Sequence, residues 1–222
     1  AYREPRPIPV SLKTRVGYET PDVRAWMGEI LQSEPAAIAL HGRTLRQGYS
    51  GSADWDQIAE AVEFARGSGV VMLGNGDVKS LANAEKRIAE TGVDGVLIGR
   101  GSYGNPFAFQ PGDVAAVLAE NRYRMLDIAL EHARLYEQFI GGAHRYRFMP
   151  MRKHLSWYAR SIPSAAHLRR ELIQTENAEQ VAEILTRYHA QRHWLQHGEP
   201  HMAERLNEEP SPGKSHLPIL EA

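Results

Sequence analysis

The chain has 222 residues, of which 42% are hydrophobic and 24% are charged, and its formal net charge is −1. This composition is typical of an ordinary globular protein. The absence of cysteine excludes disulfides, thiolate metal sites and a cysteine nucleophile or acid within these residues. No apolar run approaches the roughly 18 residues of a membrane helix, and the N-terminus lacks the apolar region of a signal peptide, so we expect a cytoplasmic protein without membrane contact.

From residue 10 to residue 98, short apolar runs alternate with segments of helical spacing, and each run leads into a polar or glycine-rich loop. The runs are too short and too evenly apolar for an antiparallel sheet with one wet face, so they predict a buried parallel sheet joined by crossover helices. Thr20 and Asp54 are the predicted N-caps of the first two helices, with Pro21 at the first helical position. The predicted strands are Val10–Lys13 with an end at Gly17, Ala36–Leu40, Val70–Leu73 and Gly95–Ile98, and the predicted helices are 20–33, 54–66 and 80–91.

Four parallel strands do not make a closed structure, because a parallel barrel closes with eight strands and an open sheet leaves two unpaired edges. We therefore interpret residues 1–111 as the C-terminal half of a (β/α)8 TIM barrel, an α/β fold, in a chain that is a C-terminal fragment. Residues 112–197 show helical spacing and predict an all-α domain, arranged as a four-helix bundle, whereas 198–222 predict a disordered tail. The predicted helices of this domain are Asn121–Ile140, Pro150–Arg160, Ala165–Gln174 and Ala178–Leu195.

Each predicted strand ends in a residue suited to holding a phosphorylated cofactor. Lysine and arginine supply positive charge, and the amides of two glycine-rich loops can donate to phosphate oxygens at helix N-termini. Flavin mononucleotide (FMN) fits such a pocket, because the last two loops of a barrel bind phosphate and a cation suits the flavin ring edge. The alternative is that the glycines only turn the chain and that the two cations are solvated. The candidate cofactor-binding residues are Lys13, His41, Asn75, Gly76, Asp77, Gly99 and Arg100.

Five sequence blocks, in this order and spacing, resemble the signature blocks of the tRNA-dihydrouridine synthase family. They are SLKTRVG, HGRTLRQGYSGSADW, LGNGD, VLIGRGSYGNPFAF and MRKHLSWYARSIPSAAHLRREL, and the resemblance runs from about residue 8 to about residue 195. The last block is similar to the helical domain of the bacterial branch. The resemblance implies reduction of tRNA uridines to 5,6-dihydrouridine with FMN that is recharged by NADPH. It also implies that Lys13 and His41 contact the flavin ring, while Asn75–Asp77 with Gly99 and Arg100 bind its phosphate.

The chain also departs from the family pattern. Family members carry an N-terminal half barrel with an Asn-x-x-Cys-Pro type segment, whose cysteine protonates the uracil ring, and neither feature is present in these residues. Without a proton donor the reduction should stall after hydride transfer. We therefore assign no catalytic residue within the chain and expect it to be inactive alone.

The loop after His41 carries Arg43, Gln47 and Tyr49. By the resemblance this loop belongs to the mouth that receives a flipped uridine, and flipped bases are held by hydrogen bonds and aromatic contacts. The equally weighted alternative is an ordinary polar loop.

A second candidate RNA-binding region is the segment 144–170, which contains seven Lys or Arg and three His but no acid. A local excess of positive charge in a nearly neutral chain indicates a polyanionic partner, and the resemblance implies tRNA. The alternative is a solvated helix face with Tyr146, Trp157 and Tyr158 in the core. Because Trp157 and Tyr158 are adjacent, at most one of them can face RNA. The candidate cations are Arg145, Arg147, Arg152, Lys153 and Arg160.

Three histidines, His189, His193 and His197, recur at helical spacing, but the outer pair is separated by about 12 Å and cannot share one ion, so we expect no metal site. We expect the complete protein to be monomeric. Two other functions stay open: a non-catalytic RNA-binding module, and a different FMN- or phosphate-binding barrel acting on a small molecule. The acid-free segment argues against the second of these.

Overall fold

The computed structural model describes residues 8–140 and 148–197, with the side chains of residue 161 and residues 191–197 left out. Arg145, Tyr146, Arg147 and the predicted tail 198–222 therefore lie outside the described residues. The strands are β1 (Ser11–Arg15), β2 (Ala37–His41), β3 (Val71–Asn75) and β4 (Gly95–Leu97). The helices are α1 (Val23–Leu31), α2 (Trp55–Phe64), α3 (Leu81–Thr91), α4 (Val114–Glu120), α5 (Arg124–Ile140), α6 (Met149–Tyr158), α7 (Ala166–Leu172) and α8 (Ala178–His197).

The four strands form one parallel sheet in the order β1-β2-β3-β4, which confirms the predicted alternation of strands and helices. Arg15 pairs with His41, His41 pairs with Asn75, and Asn75 pairs with Leu97. This register places the ends of all four strands at the same level. Their following loops therefore gather at one edge of the sheet.

Helix starts follow local capping chemistry, with one correction. Asp54 caps α2 as predicted, because its side chain accepts hydrogen bonds from the Asp56 and Gln57 amides. The prediction that Thr20 caps the first helix was wrong, since α1 begins at Val23 with Asp22 at the N-cap position. The chain is still turning at Thr20, whose carbonyl oxygen packs where a side chain on Gly17 would stand, and the Asp22 amide donates to Val16 O at 2.9 Å.

Two hydrophobic clusters organise the described residues. One lies between the sheet and helices α1–α3, with Met27, Ile38 and Ile58 fully buried, and the other lies among α5–α8 around Leu126 and Leu155. The short helix α4 is an addition to the four helices that the spacing predicts. None of the helices in the described part is both long enough and apolar enough to cross a membrane.

The two clusters meet at the turn that follows β4. The rings of Tyr103 and Trp157 are stacked with centroids 4.0 Å apart and planes 7° from parallel. Gly104 has φ +67° and packs against the Trp157 backbone so closely that a Cβ there would lie 2.4 Å from the Trp157 carbonyl oxygen. Tyr158 is buried in the helical cluster. Trp157 therefore joins the two parts, while Tyr158 belongs to the core.

We predict that Gly104→Ala destabilises the protein much more than Gly67→Ala. Gly67 has a similar φ of +83° but open space around it, so alanine there should cost about 1 kcal/mol of backbone strain. Alanine at Gly104 must also displace the α6 backbone, which adds about 1–3 kcal/mol. Urea unfolding of the two variants measures the difference, and equal losses would contradict the close contact.

Candidate functional site

A cavity of about 1110 Å³ opens at the carboxyl ends of the strands. We call it the strand-end cavity. It reaches from the sheet to α4 and to Arg160, which follows α6. The structure brings all of the predicted cofactor residues to its wall, namely Lys13, His41, Asn75, Gly76, Asp77, Gly99 and Arg100. Their role with a cofactor stays a prediction, but their convergence is a property of the fold.

Asn75 links the middle of the sheet to its last strand. Its side-chain nitrogen donates to Leu97 O at 2.8 Å, and its side-chain oxygen accepts from Lys13 Nζ at 3.3 Å. Because the β4 carbonyl fixes which end of the amide is the oxygen, the Lys13 ammonium is held at the cavity wall. Lys13 is itself exposed and keeps donors for a ligand.

Asp77 joins three separate segments through one carboxylate. Oδ2 accepts from Arg43 Nη2 at 2.7 Å and from the Ala53 amide at 2.8 Å, and Oδ1 accepts from Arg100 Nη2 at 2.9 Å. Burial alone would raise the pKa of Asp77, but the Ala53 amide, Arg43 and Arg100 outweigh it and hold the pKa below its usual value. Asp77 is therefore ionised and occupied by protein donors.

Two arginine side chains donate hydrogen bonds to backbone carbonyls of the 44–53 loop. Arg43, whose side chain is 2% exposed, donates to Ser50 O at 3.1 Å and to Gly51 O at 2.6 Å. Arg15 donates to Thr44 O and Gly48 O at 2.8 and 3.0 Å. Two guanidinium groups, the buried one of Arg43 and the partly exposed one of Arg15, thus fix the backbone of the loop.

The three loop residues predicted for RNA binding lie in different settings. Arg43 is buried, and the Gln47 side chain accepts from the Thr44 amide at 2.7 Å, so both serve the loop itself. Tyr49 is 66% exposed, and its ring covers the Arg100 guanidinium at 4.5 Å. Arg15 was missed by the sequence interpretation; its position as the last residue of β1 was the available signal.

His41 is surrounded by cations at the cavity floor. Burial first, and then the charges of Arg15, Lys13 and Arg43, lower its pKa to about 4, while Asp77 acts in the opposite direction. Arg43 Nη1 lies 3.5 Å from His41 Nε2. Because arginine can only donate, the neutral ring presents Nε2 as the acceptor.

Glycines are required where the backbone approaches this ring and the following loop. A Cβ on Gly76, which has φ +135°, would lie 2.4 Å from Ala53 Cβ and 3.2 Å from His41 Cδ2. A Cβ on Gly101 would lie 2.5 Å from Val78 O. Gly101 thereby stays close to the segment that leads into α3, where Ser80 is the N-cap. Free amides at a helix start attract anions.

The three candidate cations of the basic segment that the structure describes, Arg152, Lys153 and Arg160, divide into two groups. Arg152 Nε donates to Thr175 O at 2.7 Å and thus satisfies the carbonyls after α7, which is a structural contact. Lys153 and Arg160 are exposed and form no ion pair or hydrogen bond with the described residues. Lys153 lies on α6, and Arg160 lies in the turn that follows this helix, where it lines the strand-end cavity.

No group of described side chains is suited to hold a metal ion. His189 Nε2 is buried without a hydrogen-bond partner in the described structure and lies 3.8 Å from Asp127 Oδ1. The side chains of His193 and His197 lie outside the described residues.

A parallel sheet with connecting helices and a cavity lined by cations at the carboxyl ends of its strands is typical of β/α proteins, which generally bind their ligands at that edge. The family model described as dihydrouridine synthase (Dus) matches residues 1–194. The chain therefore belongs to the dihydrouridine synthase family, which confirms the resemblance.

Curated relatives agree with this assignment. The chain is 35% identical over 191 residues to a protein of Mycobacterium tuberculosis named as a probable tRNA-dihydrouridine synthase, covering 81% of this chain and 47% of that protein. It is 36% identical over 189 residues to a protein of Rhizobium leguminosarum with the same name, covering 82% and 56%. The chain thus spans about half the length of the curated relatives it matches.

We predict that His41 stays uncharged down to about pH 4 and that its burial makes stability depend on pH. An unfolded histidine takes up its proton near pH 6.5. Since the unfolded state binds more protons between these values, stability falls as the pH drops from 6.5 to 4, by about 1–2 kcal/mol at pH 5.

The measurements are an NMR titration of the imidazole and urea unfolding of the wild type and His41→Gln at pH 7 and 5. Burial also lowers the pKa of His132 and His154. Both remain in the variant, so the difference isolates His41. The prediction would be contradicted if the imidazole of His41 titrated near pH 6.5 and the free energy of unfolding had the same pH dependence in the wild type and in His41→Gln. The ring would then not be desolvated.

Proposed function

We propose that this chain is the C-terminal part of a tRNA-dihydrouridine synthase that uses FMN, recharged by NADPH, to reduce uridine to 5,6-dihydrouridine in tRNA. The observation that carries the proposal is the convergence of Lys13, His41, Asn75–Asp77, Gly99 and Arg100 on one cavity, in a chain that belongs to the dihydrouridine synthase family. The cytoplasm and a monomeric complete enzyme are part of the same proposal.

The residues present fit a flavin phosphate. Arg100, the Gly99–Gly101 backbone and the start of α3 supply donors on one side of the cavity. Lys13 supplies a cation on the other side, and His41 supplies a neutral ring whose Nε2 faces Arg43. FMN, when bound, supplies the hydride. In this proposal Lys13 and His41 orient the ring system, while Arg100 and the glycine amides hold the phosphate.

The proposed chemistry needs a second part of the enzyme. Residues 1–111 would form half of a TIM barrel, and residues 112–197 the helical tRNA-binding domain. A half barrel leaves one side of the cavity open, and within the described residues β1 and β4 each pair on one side only. The chain contains no cysteine. We therefore propose that the general acid lies on a preceding segment and that the chain alone is inactive.

For tRNA, the geometry favours a smaller set of contacts than the sequence pattern does. Lys153 on α6 and Arg160 in the turn after α6 are both exposed, and Arg160 borders the cavity. Together they would guide the phosphate backbone towards the flavin. Tyr49 is the exposed aromatic candidate for stacking on a flipped base. Arg43, Gln47 and Arg152 would act by shaping the protein.

We predict that co-expression of this chain with an N-terminal half barrel of the dihydrouridine synthase family that carries the Asn-x-x-Cys-Pro segment yields a yellow complex. With NADPH the complex should convert uridine to dihydrouridine in tRNA that lacks this modification, whereas the chain alone should not. Mass spectrometry of tRNA digests measures the product. The matched control replaces the cysteine of the partner half by alanine, which should keep the colour and remove the activity. A complex that forms but stays colourless and inert would refute the proposal.

We predict that Lys153→Gln and Arg160→Gln each weaken tRNA binding and reduce its salt dependence by about one phosphate contact. Arg152→Gln is the matched control. It removes a cation next to Lys153 in the sequence, but this cation donates to the Thr175 carbonyl after α7. It should lower the free energy of unfolding by about 1–3 kcal/mol and leave the salt dependence unchanged. Electrophoretic shift at two salt concentrations and urea unfolding provide the measurements. The reverse pattern, with Arg152→Gln alone reducing tRNA affinity, would contradict the assignment.

A further inference from the structure

We propose that Asp77 is a positioning residue that holds Arg100 in place for the ligand phosphate and couples it to the 44–53 loop. The inference rests on the proposed function, since it assumes that Arg100 binds the phosphate of FMN. It assigns Asp77 a role opposite to the one its charge suggests. A carboxylate at a phosphate site repels the ligand, so its presence there requires a compensating contribution.

The contacts of Asp77 supply that contribution. Its partners Ala53, Arg43 and Arg100 are 24, 34 and 23 residues away along the chain, so one side chain ties the loop after β2 to the loop after β4. Both arginines donate at distances of 2.7–2.9 Å that are normal for charge-assisted hydrogen bonds. Breaking these bonds would free Arg100 from its carboxylate and remove one of the supports of the 44–53 loop, which Arg15 and Arg43 also hold through its carbonyls.

Arg100 is held on two sides. Arg100 Nη2 donates to Asp77 Oδ1 at 2.9 Å. The Arg100 guanidinium carbon lies 4.5 Å from the centroid of the Tyr49 ring. An arginine whose rotamer is fixed in advance loses less conformational entropy when it binds a phosphate. Tyr49 belongs to the 44–53 loop. The conformation of that loop and the rotamer of Arg100 therefore stabilise each other.

The backbone of Asp77 makes a clean substitution possible. Its φ is +57°, in the left-handed region that asparagine and aspartate tolerate best. Asp77→Asn therefore keeps the backbone and keeps an oxygen for the Ala53 amide, while it removes both ion pairs. An alanine variant would add backbone strain and confuse the result.

The decisive measurement is the affinity for FMN and for riboflavin in the co-expressed complex, by fluorescence titration. If positioning dominates, Asp77→Asn weakens FMN binding about tenfold, the effect of one lost charge-assisted contact, and leaves riboflavin binding within about twofold. If charge dominates, removing a carboxylate near the phosphate makes FMN bind more tightly. The second result would overturn the inference.

Asp113→Asn measures the effect of charge alone. Asp113 lines the same cavity but forms no ion pair within the described structure, and it caps α4 through the Ala115 and Ala116 amides, which asparagine can also do. This variant should bind FMN more tightly than the wild type. Loss of affinity in both variants would show that any change of charge harms the site, and would count against a specific role for Asp77.

Hydrogen exchange on the 222-residue chain without ligand tests the coupling independently of flavin. In Asp77→Asn, amides of the 44–53 loop and of residues 99–103 should both exchange faster, whereas they should be unchanged in Asp113→Asn. Unchanged exchange in Asp77→Asn would overturn the coupling. If the wild-type complex binds no flavin, the proposed function fails, and the exchange result still decides whether Asp77 holds the two loops.

Discussion

The parallel register of the sheet is the constraint on which the candidate site depends. Arg15, His41, Asn75 and Leu97 are paired across neighbouring strands, so each strand delivers its last side chain to the same level. A shift of one strand by one residue would turn its side chains to the other face of the sheet. The Lys13–Asn75–Leu97 chain of hydrogen bonds depends on this alignment. Strand pairing therefore determines which side chains meet at the site, and the loop sequences add to this arrangement.

The charges at the cavity follow from that geometry. Lys13, Arg15, Arg43 and Arg100 gather around one carboxylate, Asp77, and one histidine. The nearby cations make protonation of His41 unfavourable, so the ring remains a neutral hydrogen-bonding group. Two of the arginines are already engaged by loop carbonyls. The other cations that line the cavity are Lys13, Lys79, Arg100 and Arg160, of which Arg100 is paired with Asp77.

Local patterns predicted the elements and the lining of the cavity well, because a parallel strand and its following loop are both encoded by adjacent residues. Asp54 is the N-cap that the sequence predicted, and Ser80, the predicted start of the third helix, is the N-cap of α3. The start of α1 was predicted too early. Capping rules consider only the residues next to the helix, whereas Thr20 is held in a turn by its close contact with Gly17. The roles of Arg43 and Arg152 were also missed. Both are long cations in polar segments, and only the fold shows that their donors face backbone carbonyls inside the protein.

The turn after β4 connects ligand binding to the helical part. Arg100 and Gly101 line the cavity, and Tyr103 and Gly104 pack on Trp157 of α6. Arg160 follows on the same segment and returns to the cavity wall. A ligand phosphate bound at Arg100 would therefore stabilise the same turn that fixes α6. Lys153 lies on α6 and Arg160 directly after it, so the surface proposed for tRNA and the site proposed for the cofactor are connected through the packing of Tyr103 and Gly104 on Trp157.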